Sequence, residues 1–173
     1  MIHVYTGNGK GKTTASLGLA MRAAGQGFKV LVVQFMKSDT TAGEYRFIKK
    51  VLKSPVRLNI VQFGKKEFYA RDRLARADYD EAAKGISYAE KSCGDGKYDV
   101  IILDEINVAL DYNLVSMQRV KQFVQDFPSD MELVLTGRNC PPAIIQVADY
   151  VTRMDGIKHP YKPGGQPRRG IDF

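Results

Sequence analysis

The sequence predicts a three-layer α/β fold, with a mostly parallel sheet between two layers of helix, in a single domain spanning residues 1–173. Three observations predict it. Short apolar runs of strand length alternate with stretches of helical periodicity along the whole chain. Two of the runs, Val30 to Phe35 and Val100 to Leu103, carry apolar residues on both faces, as strands covered by helices on each side require. A glycine-rich turn joins the first strand-like run to the first helical one. With 173 residues and 44% hydrophobic content, one domain can bury a sizeable core and no second domain is needed.

In order, Ile2-His3-Val4-Tyr5 is β-prone. Thr6-Gly7-Asn8-Gly9-Lys10-Gly11-Lys12-Thr13-Thr14 follows, and then Leu17, Ala20, Met21 and Ala24 recur at helical spacing until Gly25 and Gly27. Strand, glycine-rich turn and helix ending in Gly-Lys-Thr is the context of a phosphate-binding P-loop. Glycines let backbone N–H groups converge on phosphate oxygens, and the helix N-terminus adds the positive end of its dipole. Gly7, Asn8, Gly9, Lys10, Gly11, Lys12, Thr13 and Thr14 are therefore the expected nucleotide cradle. Lys12 would reach the terminal phosphates, and the Thr13 hydroxyl would ligand Mg²⁺. The usual pattern opens on a glycine where this chain has Thr6, with Gly7 and Gly9 just inside.

Beyond the strand at Val30 to Phe35, a polar loop leads to a helix expected over residues 44–53, with Ile48, Val51 and Leu52 inward. Leu58 to Phe63 alternates as a third strand. Leu74, Ala77, Ala82, Ile86, Ala89 and Cys93 predict a long helix from Asp72, closed by Gly94-Asp95-Gly96. Tyr98 to Glu105 is a buried strand ending in two adjacent carboxylates, placed to hold a Mg²⁺ shell beside the P-loop. Asp104 would hold the metal directly or through water. Glu105 would share that duty or position a reacting group, and both readings stay open. Met117, Val120, Val124 and Phe127 predict a further helix, stopped by Pro128. Leu133-Val134-Leu135 is a buried strand leading into Thr136-Gly137-Arg138. Arg138 either neutralises phosphate charge from the strand end or is an exposed structural residue. Pro141 and Pro142 suit the start of a short helix, and Asp149 to Met154 reads as the last strand. The tail from Asp155, rich in proline and glycine, is a loop lying on the body. The whole pattern predicts a P-loop NTPase-like (RecA-like) domain with its ligand site at the C-terminal edge of the strands.

Composition narrows the function classes. No apolar run approaches the length of a membrane span, and the chain opens directly on a strand, so a cytoplasmic protein without a leader is expected. Cys93 and Cys140 have no metal-like spacing and read as reduced thiols. The net charge of +7 is spread along the chain, with clusters at Arg71, Arg73 and Arg76 and at Lys158, Lys162, Arg168 and Arg169. No aromatic-interleaved basic platform accompanies them, so polyphosphate or a solvated face is favoured over nucleic acid.

The P-loop string, Leu103-Asp104-Glu105-Ile106-Asn107-Val108-Ala109-Leu110, Thr136-Gly137-Arg138, Ala148 to Thr152, Lys158-His159-Pro160-Tyr161 and Arg169-Gly170-Ile171-Asp172-Phe173 occur in this order. Together they resemble the P-loop type of ATP:corrinoid adenosyltransferase, over nearly the whole chain. The resemblance implies ATP and a reduced corrinoid as substrates, with Mg²⁺ or Mn²⁺. Co(I) would attack the ribose 5′ carbon and triphosphate would leave, in adenosylcobalamin biosynthesis or salvage. It further implies a homodimer and a flavoprotein reductase supplying the electron. Such a nucleophile needs no general base, and His3 and His159 read as structural. Charge on the leaving group would fall to Lys10, Lys12, Arg138 and the metal, with Lys12, Arg138 and Glu105 the catalytic candidates. Relatives carry Gly-x-Gly-Phe-x-Trp after the third strand; here the loop reads Gly64-Lys65-Lys66-Glu67-Phe68-Tyr69, without Trp. Phe68 and Tyr69 are the corrinoid-contact candidates, core aromatics being the other reading. A P-loop kinase, a RecA-like ATPase or a non-catalytic nucleotide-binding module shares the same loop and strand. Triphosphate as product separates the transferase from the ADP-forming enzymes.

Overall fold

The computed structural model describes residues 1–52, 57–65, 71–158 and 168–171. Six strands, β1 (Ile2–Thr6), β2 (Val30–Phe35), β3 (Leu58–Phe63), β4 (Val100–Asp104), β5 (Glu132–Thr136) and β6 (Tyr150–Arg153), form one sheet in the order β3-β2-β4-β5-β1-β6. Every pairing is parallel. Among the described residues, six α-helices accompany them: α1 (Lys12–Gly25), α2 (Gly43–Arg46), α3 (Arg76–Gly94), α4 (Ile106–Asp111), α5 (Met117–Gln125) and α6 (Pro142–Ile145).

The alternation of strand side chains sorts the core into two halves. Leu31, Val33, Ile101, Leu103, Leu133 and Leu135 pack under Ala82, Ile86 and Ala89 of α3, with α4, α5 and α6 beside them. Val30, Val32, Ile60, Ile102 and Val134 point the other way, against Ala20 and Ala23 of α1 and Ile48. Gly85 lets α3 close on β2: a Cβ there would stand 2.8 Å from the Phe35 ring. The buried interior strands are thus the continuous apolar runs of the sequence, and the three-layer expectation holds.

Several local expectations change. The helix expected over 44–53 is one turn, α2, which widens into a π-helical segment over Phe47–Val51. Ile48 is buried as expected, but Val51 points outward. The long helix begins at Arg76, not Asp72, after a short 3₁₀ turn at Arg71–Arg73, and Ala77 faces solvent. Its first turn is fixed by buried Asp78, whose carboxylate accepts from Ala75 N–H at 2.8 Å and from Lys65 Nζ at 2.9 Å. Helix α4 has no counterpart in the sequence reading; one and a half turns give too little periodicity to register. Among the described residues, no helix is long and apolar enough to cross a membrane. Cys93 and Cys140 are both free thiols.

Candidate active site

Four segments converge at the C-terminal edge of the sheet: the turn after β1, the ends of β2 and β4, and the end of β5. Together with α2 and Gly170-Ile171 of the tail, they bound a cavity of about 600 Å³. Lys10, Gly11, Lys12, Thr13, Thr14, Lys37, Glu44, Glu105 and Arg138 all line it.

The turn is held open by the chain leaving β6. Gly9 N–H donates to Met154 O at 2.7 Å, and Gly156 N–H to the Asn8 side-chain oxygen at 3.0 Å. Gly7 adopts φ +96°, and a Cβ on it would run into the Met154 carbonyl. Gly9 is equally confined, with a Cβ 2.8 Å from Met154 O. Thr6, where the usual pattern has glycine, is the last residue of β1, and its hydroxyl accepts from Cys140 N–H at 3.2 Å. The departure thus ties the start of the loop to the chain beyond β5.

Lys12 is buried at the base of the turn and donates to Gly7 O and Gly9 O, each at 2.7 Å. Burial pulls its pKa below the usual lysine value, reinforced by Arg138 and opposed by Glu105 and Asp104. Lys10 points along the rim, donating to Ile171 O at 2.8 Å. Thr14 and Arg138 are exposed on the cavity wall.

Asp104 is the centre of the polar site and has no exposure. Its Oδ1 accepts from the hydroxyls of Thr13 at 2.8 Å and Thr136 at 2.7 Å. Its Oδ2 accepts from Lys37 Nζ at 2.9 Å and Gln34 Nε2 at 3.0 Å. Burial pushes this carboxyl up, but Lys37 and the hydroxyl donors more than offset it, so Asp104 is held ionised below the ordinary range. Lys37 responds in kind: burial lowers it, and Asp104, Glu105 and Glu44 raise it above a free lysine. Glu105 differs from its neighbour. Burial and the Asp104 charge lift its pKa, and the nearby cations only partly oppose this. It sits at φ +65°, a strained backbone for a side chain, steadied by its N–H donating to Thr136 Oγ1 at 3.0 Å.

The cavity therefore brings Lys10, Gly11, Lys12, Thr13 and Thr14 together with Glu105 and Arg138, and Thr13 with Asp104. Gly7, Asn8 and Gly9 stand on the same turn outside its lining. Phe68 and Tyr69 lie outside the described residues, as does His159. His3 is remote from the cavity, pairing with Glu132 at 2.8 Å and stacking on Tyr150. Four participants escaped the sequence reading. Gln34 is a polar residue inside an apolar strand, a signal that it must find a buried partner. Thr136 stood in a recognised motif with only its arginine given a role. Lys37 lies in the loop beyond β2 and Glu44 in the first turn of α2, at the same sheet edge that singled out Asp104.

A hydroxyl from the first turn of α1 beside a buried strand-end carboxylate, with a lysine under a glycine-rich turn, defines a P-loop NTPase-like protein. Residues 1–173, the whole chain, match the model of the family described as ATP:corrinoid adenosyltransferase BtuR/CobO/CobP. The chain belongs to that family. It is similar to the corrinoid adenosyltransferase of Pseudomonas aeruginosa, 34% identical over 98% of this chain and 82% of the relative. That of a Sinorhizobium species is 34% identical over 100% of this chain and 80% of its own. That of Escherichia coli K12 is 32% identical over 100% and 85%.

Proposed function

We propose that this protein transfers the 5′-deoxyadenosyl group of ATP to the Co(I) of a reduced corrinoid, releasing triphosphate. The observation that carries the reading is the cavity itself, in a chain of this family: Lys10, Lys12, Lys37 and Arg138 converge on one space beside the Thr13–Asp104 pair. Such a site suits a reaction whose difficulty lies in a leaving group of high negative charge.

The polyphosphate would lie over the turn, met by its backbone N–H groups and the α1 N-terminus. Lys12 would exchange the carbonyls of Gly7 and Gly9 for phosphate oxygens, and Arg138 would close on the chain from the wall. Thr13 and Asp104 fit a divalent cation, Mg²⁺ or Mn²⁺, since a hydroxyl and an ionised carboxylate 2.8 Å apart are hard oxygen donors. That cation would neutralise charge on the departing triphosphate. Glu105 would serve it through the outer shell or orient the ribose. In the transfer, the cobalt electron pair forms the Co–C5′ bond, the C5′–O bond breaks, and its pair leaves with triphosphate. Cobalt passes from +1 to +3, so no proton need be moved by the protein. Phe68 and Tyr69 would pack against the corrinoid. A homodimer served by a flavoprotein reductase, in the cytoplasm and without nucleic acid, completes the proposal.

The test is anaerobic mixing of the protein with Mg-ATP and cob(I)alamin, followed by visible spectra and phosphate analysis. A light-sensitive adenosyl product formed mole for mole with triphosphate is expected. ADP accumulating without change in the corrinoid spectrum would replace this reading with a kinase or ATPase.

A further inference from the structure

Lys37 places its ammonium against Asp104, the carboxylate to which the reading above assigns a divalent cation. The chain leaves β2 through Met36 in a left-handed conformation, φ +57°, and Lys37 Nζ reaches Asp104 at the end of neighbouring β4. Gly64, directly after β3, closes on this bend so tightly that a Cβ there would stand 2.5 Å from Lys37 N. Two strand ends thus clamp the lysine backbone. Its ammonium lies 2.9 Å from Asp104 Oδ2 and 3.9 Å from Glu44 Oε1, and Glu105 adds a third carboxylate close enough to stabilise its charge. It also lines the same cavity as Lys12, Thr14 and Arg138.

We propose that Lys37 is a placeholder cation. Without metal it neutralises buried Asp104. When the divalent cation enters with the nucleotide, like-charge repulsion drives the ammonium off Oδ2, and it turns to the phosphate chain in the same cavity. Free metal is therefore opposed by Lys37, whereas metal arriving with polyphosphate is welcomed by it. The protein binds metal and nucleotide as a pair. This rests on the nucleotide and metal reading given above, but not on the corrinoid chemistry.

The experiment compares wild type with Lys37→Met and Lys37→Gln, each first checked by thermal melting. Mn²⁺ binding is measured by electron paramagnetic resonance without nucleotide, and inorganic triphosphate binding by calorimetry with Mg²⁺. Loss of the ammonium should tighten Mn²⁺ roughly tenfold and weaken triphosphate by about the same factor, the scale of one close charge contact. A merely structural lysine would weaken both. Mn²⁺ binding no tighter than wild type in the folded variant overturns the proposal, as does unchanged triphosphate affinity. So does a Mn²⁺ gain that persists when Asp104→Asn is added. Should wild type form no adenosyl product while these affinities move as stated, the transferase reading falls and the placeholder stands.

Discussion

Thr13 and Thr136 donate to the same oxygen of Asp104, at 2.8 and 2.7 Å, from the first turn of α1 and the end of β5. The P-loop helix and two sheet strands are thereby locked through one buried carboxylate. Removing that carboxylate should be costly twice over. Asp104→Asn takes from Lys37 its 2.9 Å partner and leaves it the more distant Glu44 at 3.9 Å. A loss below that of a broken, fully buried pair, about 3–5 kcal/mol, is therefore expected. It also removes the side chain proposed to hold the metal. A lowered urea midpoint is expected, with kcat/KM reduced by about 10²–10³-fold; an active, equally stable variant would contradict the role.

Thr136 tests the lock while the Asp104 carboxylate and the Lys37 ammonium both stay in place. Thr136→Val removes both the donor to Asp104 and the acceptor for Glu105 N–H, whereas Thr136→Ser keeps them. The valine variant should lose about 1–3 kcal/mol, and the serine variant should stay closer to wild type in chemical denaturation.

Lys12 spends its ammonium on loop carbonyls that phosphate would replace. Lys12→Ala should fold with nearly unchanged melting but lose the stabilisation that Mg-ATP confers. In wild type that gain is about 2.7 kcal/mol at a hundred times Kd. Thermal shift with and without Mg-ATP reads the difference. An undiminished ATP shift in the variant would remove Lys12 from the phosphate site.

Gly7 couples the loop to β6. Gly7→Ala meets a positive φ and the Met154 carbonyl at once, so the loop must move. Strain of about 1–3 kcal/mol is expected, together with a raised KM for ATP. A variant melting like wild type, with unaltered KM, would show that the loop yields freely.

Cys140 gives the protein an alkaline edge. Burial pushes its thiol from 9.0 up to about 12. The unfolded chain releases this proton above pH 9.0 while the folded chain keeps it, so stability is intact below pH 9 and declines between there and about 12. The slope approaches about 1.4 kcal/mol per pH unit for one proton. Urea midpoints between pH 8 and 10.5 should fall less steeply in Cys140→Ala than in wild type. Parallel curves would exclude the thiol as the cause.

The strands and the glycine-rich loop were legible because their signals are local. An apolar run such as Val30 to Phe35 must be buried on both faces wherever it packs, and a glycine-rich turn between strand and helix specifies its own geometry. The placement of Asp104 and Arg138 was legible because a charge at the end of such a run falls at the C-terminal edge of the sheet. Helix boundaries were less so. Ala77 stands in the first turn of α3 but off its buried face, and Val51 is turned outward in the π-helical segment, since periodicity records composition and not the course of the backbone.

The amino-acid sequence alone determined the fold class, the glycine-rich loop after β1 and the paired carboxylates at the end of β4. Tertiary structure alone decided their electrical arrangement: which carboxylate is held ionised, which is lifted, and which cation sits between them. Asp104 and Glu105 are adjacent in the chain, yet only Asp104 receives Thr13, Thr136, Gln34 and Lys37. Those four donors come from positions 13 to 136, and a charge's energy depends on distance through space, which strand order sets and sequence separation does not.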